Sequence, residues 1–81
     1  MNRSEIFTVL KSNMTAFIDG VEGVEINETN SMVNDFGADS LEVVEVISRT
    51  QRQLRIKVPR TKLSQVSNIK ELIDLFEKAA S

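Results

Sequence analysis

The chain contains no Cys, no His, no Trp and no Tyr, and only one Pro and three Gly in 81 residues. Without cysteine there is no disulfide and no thiolate metal site, so a reducing compartment suits it. Without His or Cys no imidazole can activate a serine and no triad can be assembled. Four Phe are the whole aromatic content, too few for the stacking platforms that single-stranded nucleic acid requires. No apolar run exceeds three residues, Ala16 to Ile18, against the ~20 needed to cross a bilayer. Met1 to Leu10 mixes charged and apolar residues and lacks the hydrophobic region of a signal peptide. A soluble, cytoplasmic monomer without membrane attachment is expected. Ten basic and twelve acidic residues leave a net charge of −2, which argues against a nucleic-acid partner. The length fits one domain over residues 1–81.

What is present is helical periodicity. Ile6, Phe7, Leu10, Met14 and Phe17 recur at three- and four-residue spacings and form one apolar stripe, widened by Val9 and Ile18. Ser4 is a suitable cap for this helix, and Gly20 suits a left-handed C-cap. From Val21 to Ala38 no period is sustained, and Gly23, Asn27, Asn30, Ser31 and Asn34 read as a long ordered loop. Val24, Ile26, Met32, Val33 and Phe36 are expected to pin that loop to the core. Glu22, Glu25 and Glu28 read as a solvated face; a divalent-ion site is the alternative, although the spacing matches no tight metal loop.

The loop ends at Asp35-Phe36-Gly37-Ala38-Asp39-Ser40-Leu41-Glu42. Gly37 allows a backbone bend. Asp39 is a good N-cap and Glu42, three residues on, completes a capping box. A second helix is expected from Ser40 to Leu54. It places the Ser40 hydroxyl at the positive end of a helix, a favourable place for a phosphate-bearing group. Val43, Val46, Ile47, Thr50 and Leu54 lie on its core face. Leu41 and Val44 fall elsewhere, beside Glu42 and Glu45. They either widen the buried stripe or form a docking surface ringed by carboxylates, which would act on association rate and partner choice. Arg49, Arg52, Arg55 and Lys57 make the following stretch basic, either to complement the helix dipole or as a partner-specific patch.

Pro59 cannot continue the preceding helix but fits a new first turn. Arg60 to Val66 is expected to form a short helix with Leu63 and Val66 turned inward. Asn68 caps the last helix and Glu71 closes its capping box, with Ile69, Leu72, Ile73 and Phe76 as the core stripe and Leu75 beside it. Lys70 with Asp74, and Asp74 with Lys78, are four apart and suit exposed pairings. Ala79 to Ser81 is expected to fray. The fold class expected is all-α, a four-helix bundle with three long helices, one short helix and a long first loop. No general base, metal cluster or phosphate-cradling loop suggests an enzyme.

Gly37-Ala38-Asp39-Ser40-Leu41-Glu42 resembles the Gly-x-Asp-Ser-Leu-(Asp/Glu) signature of acyl carrier proteins. The similarity extends to Leu54, Val58-Pro59 and Asn68-Ile69, and so covers most of the chain. The resemblance implies a stand-alone acyl carrier bundle in which Ser40 takes 4′-phosphopantetheine from coenzyme A, with Asp39 recognised by the transferase. The thiol of that arm would hold acyl groups as thioesters. It implies no catalytic residue and no resident metal. It also implies partner contacts through the second helix (Leu41, Glu42, Val44, Glu45 and Ser48) and through Arg60 and Lys62. The partners implied are a phosphopantetheinyl transferase and ketosynthase, acyltransferase or 3-hydroxy-3-methylglutaryl-CoA-synthase-like enzymes. Ser48 stands where related proteins often keep a larger apolar residue, and Arg60 and Lys62 where fatty-acid carriers tend to be acidic. Val58 to Leu63 followed by Asn68-Ile69 is similar to discrete donor carriers of polyketide β-branching cassettes. A fatty-acid carrier is the next reading; peptidyl carriers fit less, lacking here their paired glycine before the serine. An unmodified helical adaptor using Leu41 and Val44 as its contact patch is the alternative of another class.

Overall fold

A computed structural model describes residues 2–80 of the chain. Four helices follow one another: α1 (Arg3–Phe17), α2 (Ser40–Leu54), α3 (Arg60–Leu63) and α4 (Ile69–Ala80). α1 packs against both α2 and α4. Ile6, Leu10 and Met14 of α1, Val46 of α2, and Ile73 and Phe76 of α4 are completely buried at the centre. No helix among the described residues is long and apolar enough to cross a membrane.

α1 starts at Arg3, two residues before the start that a Ser4 cap would give. Asn2, not Ser4, is the N-cap: its side chain accepts from the Glu5 N–H at 2.9 Å, and its own N–H reaches the Glu5 carboxylate. The reason is reciprocal. Asn2 has Glu5 three residues on, whereas Ser4 has Phe7 there, which cannot return a bond. The far end also differs from expectation. The helix stops at Phe17 because Ile18, 3 % exposed, turns extended into the core, and Gly20 uses its positive φ of 85° in the turn beyond.

Inside the interface, Asn13 is the one polar residue on the buried side of α1. Its amide donates to Thr50 Oγ1 at 2.9 Å and to Gln53 Oε1 at 2.8 Å, while the Thr50 hydroxyl donates back to the Val46 carbonyl. A buried polar pair of this kind avoids the cost of unsatisfied groups and fixes the register of α1 on α2.

The long loop is held by its backbone as much as by its side chains. The Asn30 and Glu28 carbonyls accept from the Ile69 and Lys70 N–H groups at 2.9 and 2.7 Å, which satisfies donors at the start of α4. Met32 is buried, and Ile26 and Phe36 pack on the core, but Val24 and Val33 are 46 % and 55 % exposed, contrary to expectation. Val21 and Ala38, at the two ends of the loop, take their place in the core. Arg3 gathers Glu28 of the loop with Asp74 and Glu77 of α4, an arrangement that raises the Arg3 pKa. Glu28 is therefore engaged with a cation. Among the described residues no group of three or more acidic side chains converges as a metal site. Asp74 also accepts from Arg3.

α3 is a single turn. Pro59 at its N-cap gives no side-chain hydrogen bond, and after Leu63 the bonds tighten, Gln65 to Lys62 and Val66 to Leu63. Leu63 reaches the core as expected; Val66 is only half-buried and outside it. Ile56 and Val58 of the α2–α3 connection are instead buried.

Asn68 caps α4, accepting from the Glu71 N–H at 2.9 Å. The Glu71 carboxylate reaches one residue further back than a capping box requires and accepts from the Ser67 hydroxyl and N–H, both at 2.7 Å. These bonds, the hydroxyl first, hold its pKa below the ordinary carboxylate range. A lowered folded pKa gives stability above the unfolded value that is lost as pH falls through the folded one. Glu71→Gln is therefore expected to melt below the wild type at neutral pH, the gap closing in acid below the carboxylate range; thermal scans across pH check this. α4 continues to Ala80, past the start of the expected fraying, and Ser81 lies outside the described residues.

Candidate functional site

Residues 31–38 deliver the chain to the start of α2. The Asp35 carboxylate accepts from the Ser31 N–H at 2.6 Å, and the Ser31 hydroxyl accepts from the Asn34 N–H, closing a helical turn. The Gly37 and Ala38 N–H groups then fold back onto the Val33 and Met32 carbonyls at 3.1 and 3.0 Å. That reversal needs a positive φ at Gly37, which is 67°. A Cβ at Gly37 would meet no atom within 4 Å, so the demand is purely on the backbone. Gly37→Ala is accordingly expected to cost about 1–2 kcal/mol in denaturant unfolding, with no change in core packing.

Ala38 is buried, and the chain then surfaces at Asp39 and Ser40. Asp39 Oδ1 accepts from the Glu42 N–H at 2.8 Å, and Glu42 Oε1 accepts from the Asp39 N–H at 3.0 Å, the expected capping box. The second Glu42 oxygen accepts from the Asp19 N–H at 3.3 Å, just past the end of α1. Glu42 thus ties two helix ends together, and both its oxygens are occupied. Sequence reasoning missed this link, since nothing local connects residues 19 and 42. The second Asp39 oxygen carries no hydrogen bond among the described residues, and the residue is exposed.

Ser40 is the first residue of α2, exposed, and its hydroxyl makes no hydrogen bond among the described residues. It stands where the first free N–H groups of α2 give a positive field. Its neighbours Asp39 and Glu42 each accept from the other's backbone N–H in the cap, and carboxylates are poorly matched to deprotonating an alcohol. The arrangement presents an exposed, unbonded hydroxyl at the positive end of a helix.

Leu41 and Val44 are 77 % and 57 % exposed, which overturns the reading that they widen the core. Glu45 is exposed beside them and Ser48 half-buried. Val46, Ile47 and Thr50 are buried and Val43 and Leu54 pack on the core, as expected. The basic tract divides. Arg49 lies over the Phe17 ring of α1, 5.3 Å from its centroid. Arg52, Arg55 and Lys57 line an open groove with Ser48, Gln51 and Ile56. Arg60 and Lys62 are exposed on α3.

The small helical bundle thus offers an exposed serine hydroxyl at the start of a helix. The family model for a phosphopantetheine attachment site matches residues 14–76, and the chain belongs to that acyl carrier family. It is 34 % identical to the polyketide biosynthesis acyl-carrier-protein AcpK of Bacillus subtilis, over all of this chain and 99 % of that protein. Acyl carrier proteins of Guillardia theta and Thermotoga maritima are 28 % and 29 % identical over 96 % and 95 % of this chain, and 95 % and 94 % of their own lengths. Family membership implies a covalently attached 4′-phosphopantetheine group. Members interact with phosphopantetheinyl transferases and synthase enzymes.

Proposed function

We propose that Ser40 carries the phosphopantetheine arm and that the chain serves polyketide biosynthesis as the donor carrier of a β-branching step. The observation that carries the attachment site is the exposed, unbonded Ser40 hydroxyl at the first turn of α2, inside Gly37-Ala38-Asp39-Ser40-Leu41-Glu42 and within the matched residues. The arm, when bound, supplies a thiol that holds acyl groups as thioesters. Ser40 contributes its oxygen to the phosphodiester as the pyrophosphate bond of coenzyme A breaks; adenosine 3′,5′-bisphosphate leaves and the serine proton passes to the transferase. Asp39, with one carboxylate oxygen free of the cap, is oriented for the transferase and any metal ion it brings. Leu41, Val44 and Glu45, with Ser48 beyond them, form the face toward partner enzymes; Glu42 adds charge there while holding the helix start.

The polyketide assignment is supported by the name of the relative at 34 % identity and by Arg60 and Lys62 on α3. A fatty-acid role is the second reading, favoured by the relatives called simply acyl carrier proteins. Intact-mass spectrometry after incubation with coenzyme A, Mg²⁺ and a broad-specificity phosphopantetheinyl transferase tests the attachment. A phosphopantetheine gain that peptide fragmentation places on Ser40 is expected. No gain in a folded protein would favour the adaptor reading. Faster acyl exchange with a 3-hydroxy-3-methylglutaryl synthase homologue than with a fatty-acid ketosynthase would support the β-branching role, and the reverse would support fatty-acid synthesis.

A further inference from the structure

Leu41, Val44, Ser48 and Arg52 recur at three- and four-residue spacings, so they form one stripe along α2, and Arg55 caps the helix just beyond it. From Leu41 to Arg52 the stripe is about 16 Å long at the helical rise. It begins beside Ser40 as apolar residues flanked by Glu45 and ends in the groove of about 440 Å³ lined by Ser48, Gln51, Arg52, Arg55, Ile56 and Lys57.

The groove has a floor, a lip and cations. Gln51 Oε1 accepts from the Val58 N–H at 2.8 Å and so fixes the chain that leaves the helix, with Ile56 buried beneath. Ser48 is short, which leaves the side toward Val44 open. Arg52, Arg55 and Lys57 are exposed and make no ion pair or hydrogen bond through their side chains among the described residues. Dipole complementation accounts for Arg52, which lies in the last turn. It extends to Arg55, the C-cap, a non-glycine residue held at φ 56° where glycine is preferred, but it does not account for Lys57 beyond the helix.

We infer that this groove is a second docking point, which takes a short acidic segment of the enzyme that also contacts Leu41, Val44 and Glu45. The inference rests on the reading of α2 as the partner-facing helix. Charge complementarity selects the occupant: three unpaired cations in one groove suit side-chain carboxylates. A long polyanion fits poorly, because a nucleic acid or anionic membrane following the stripe from Arg52 would meet Glu45 about two helical turns away and Asp39 less than four. The partner footprint on α2 is therefore bipolar, basic near Ser40 and acidic at the groove. Such a pattern fixes the direction in which an enzyme lies along the helix and rejects partners that are uniformly basic.

Titration of the isotope-labelled full chain with hexaglutamate, followed by amide shifts at low salt, tests this. Saturable shifts centred on Ser48, Arg52, Arg55 and Lys57 are expected, with affinity falling about tenfold in the Arg52→Glu, Arg55→Glu double variant. Should that variant not fold, Arg52→Gln with Lys57→Gln serves, with a smaller loss expected. No shift at the groove would overturn the inference. So would equal shifts from sulfate at matched ionic strength, which would make the groove a small-anion site. Concentration-dependent groove shifts without peptide would assign it to a second copy of this chain, also overturning it. The mass gain on Ser40, read on the wild type, reports the carrier assignment separately, so either reading can fail alone.

Discussion

Phe76→Ala is expected to destabilise the protein by about 3–5 kcal/mol, most of the stability of a typical small domain. Phe76 is the largest fully buried side chain, on the face of α4 that also carries Leu72 and Ile73. α1 is the element against which both α2 and α4 pack, so a void at Phe76 opens the middle of the molecule. The loss reaches the site through the backbone: the start of α4 takes its carbonyl partners from Glu28 and Asn30, in the loop that leads to Gly37 and Ser40. Denaturant unfolding of Phe76→Ala beside Leu75→Ala provides the check. Leu75 is only partly buried, and its truncation should cost less than half as much. Equal losses would mean that α4 does not seat Phe76 in the core.

The helices, and the place of Ser40 at a helix start, are legible because their signals are local. α2 begins and ends where its period and capping box place it, from Ser40 to Leu54. The core stripe of α4 is the one that Ile69, Leu72, Ile73 and Phe76 spell out. What could not be read depends on partners distant in sequence. Asn13 interrupts the apolar stripe of α1, and only Thr50 and Gln53, 37 and 40 residues away, explain it. Val24 and Val33 were assigned to the core on apolarity alone, but the loop is fixed by carbonyls and by Arg3, which no side-chain pattern announces. α3 was drawn too long because the inward spacing of Leu63 and Val66 suits a helix, while a cap without a side-chain bond sustains only one turn. At the site, the capping role of Glu42 was readable and its hold on Asp19 was not. The same distinction separates the basic residues. Their run is visible in sequence, but only the fold sends Arg49 to Phe17 and gathers Arg52, Arg55 and Lys57 around one groove.

Ser40→Ala is expected to abolish phosphopantetheine transfer while leaving the fold intact. The hydroxyl is exposed and unbonded among the described residues, and Ala is an excellent helix former, so stability should move by no more than about 0.5 kcal/mol. Any remaining mass gain would place the arm on another hydroxyl and remove the basis for assigning Ser40. Asp39 needs a pair of variants, because it both caps α2 and stands beside Ser40. Asp39→Ala loses the cap and should cost about 1 kcal/mol of stability. Asp39→Asn keeps a side-chain oxygen for the Glu42 N–H and should cost less, since Asn caps as well as Asp. If the free carboxylate oxygen serves the transferase, Asp39→Asn still slows modification, by about ten- to hundredfold for the loss of one charge-assisted contact. Transfer kinetics at saturating coenzyme A, with melting curves on the same samples, separate the two effects. A fast Asp39→Asn beside a slow, destabilised Asp39→Ala would confine Asp39 to holding the helix start. Recognition would then rest on the N-terminal field of α2 and the exposed Leu41 and Val44.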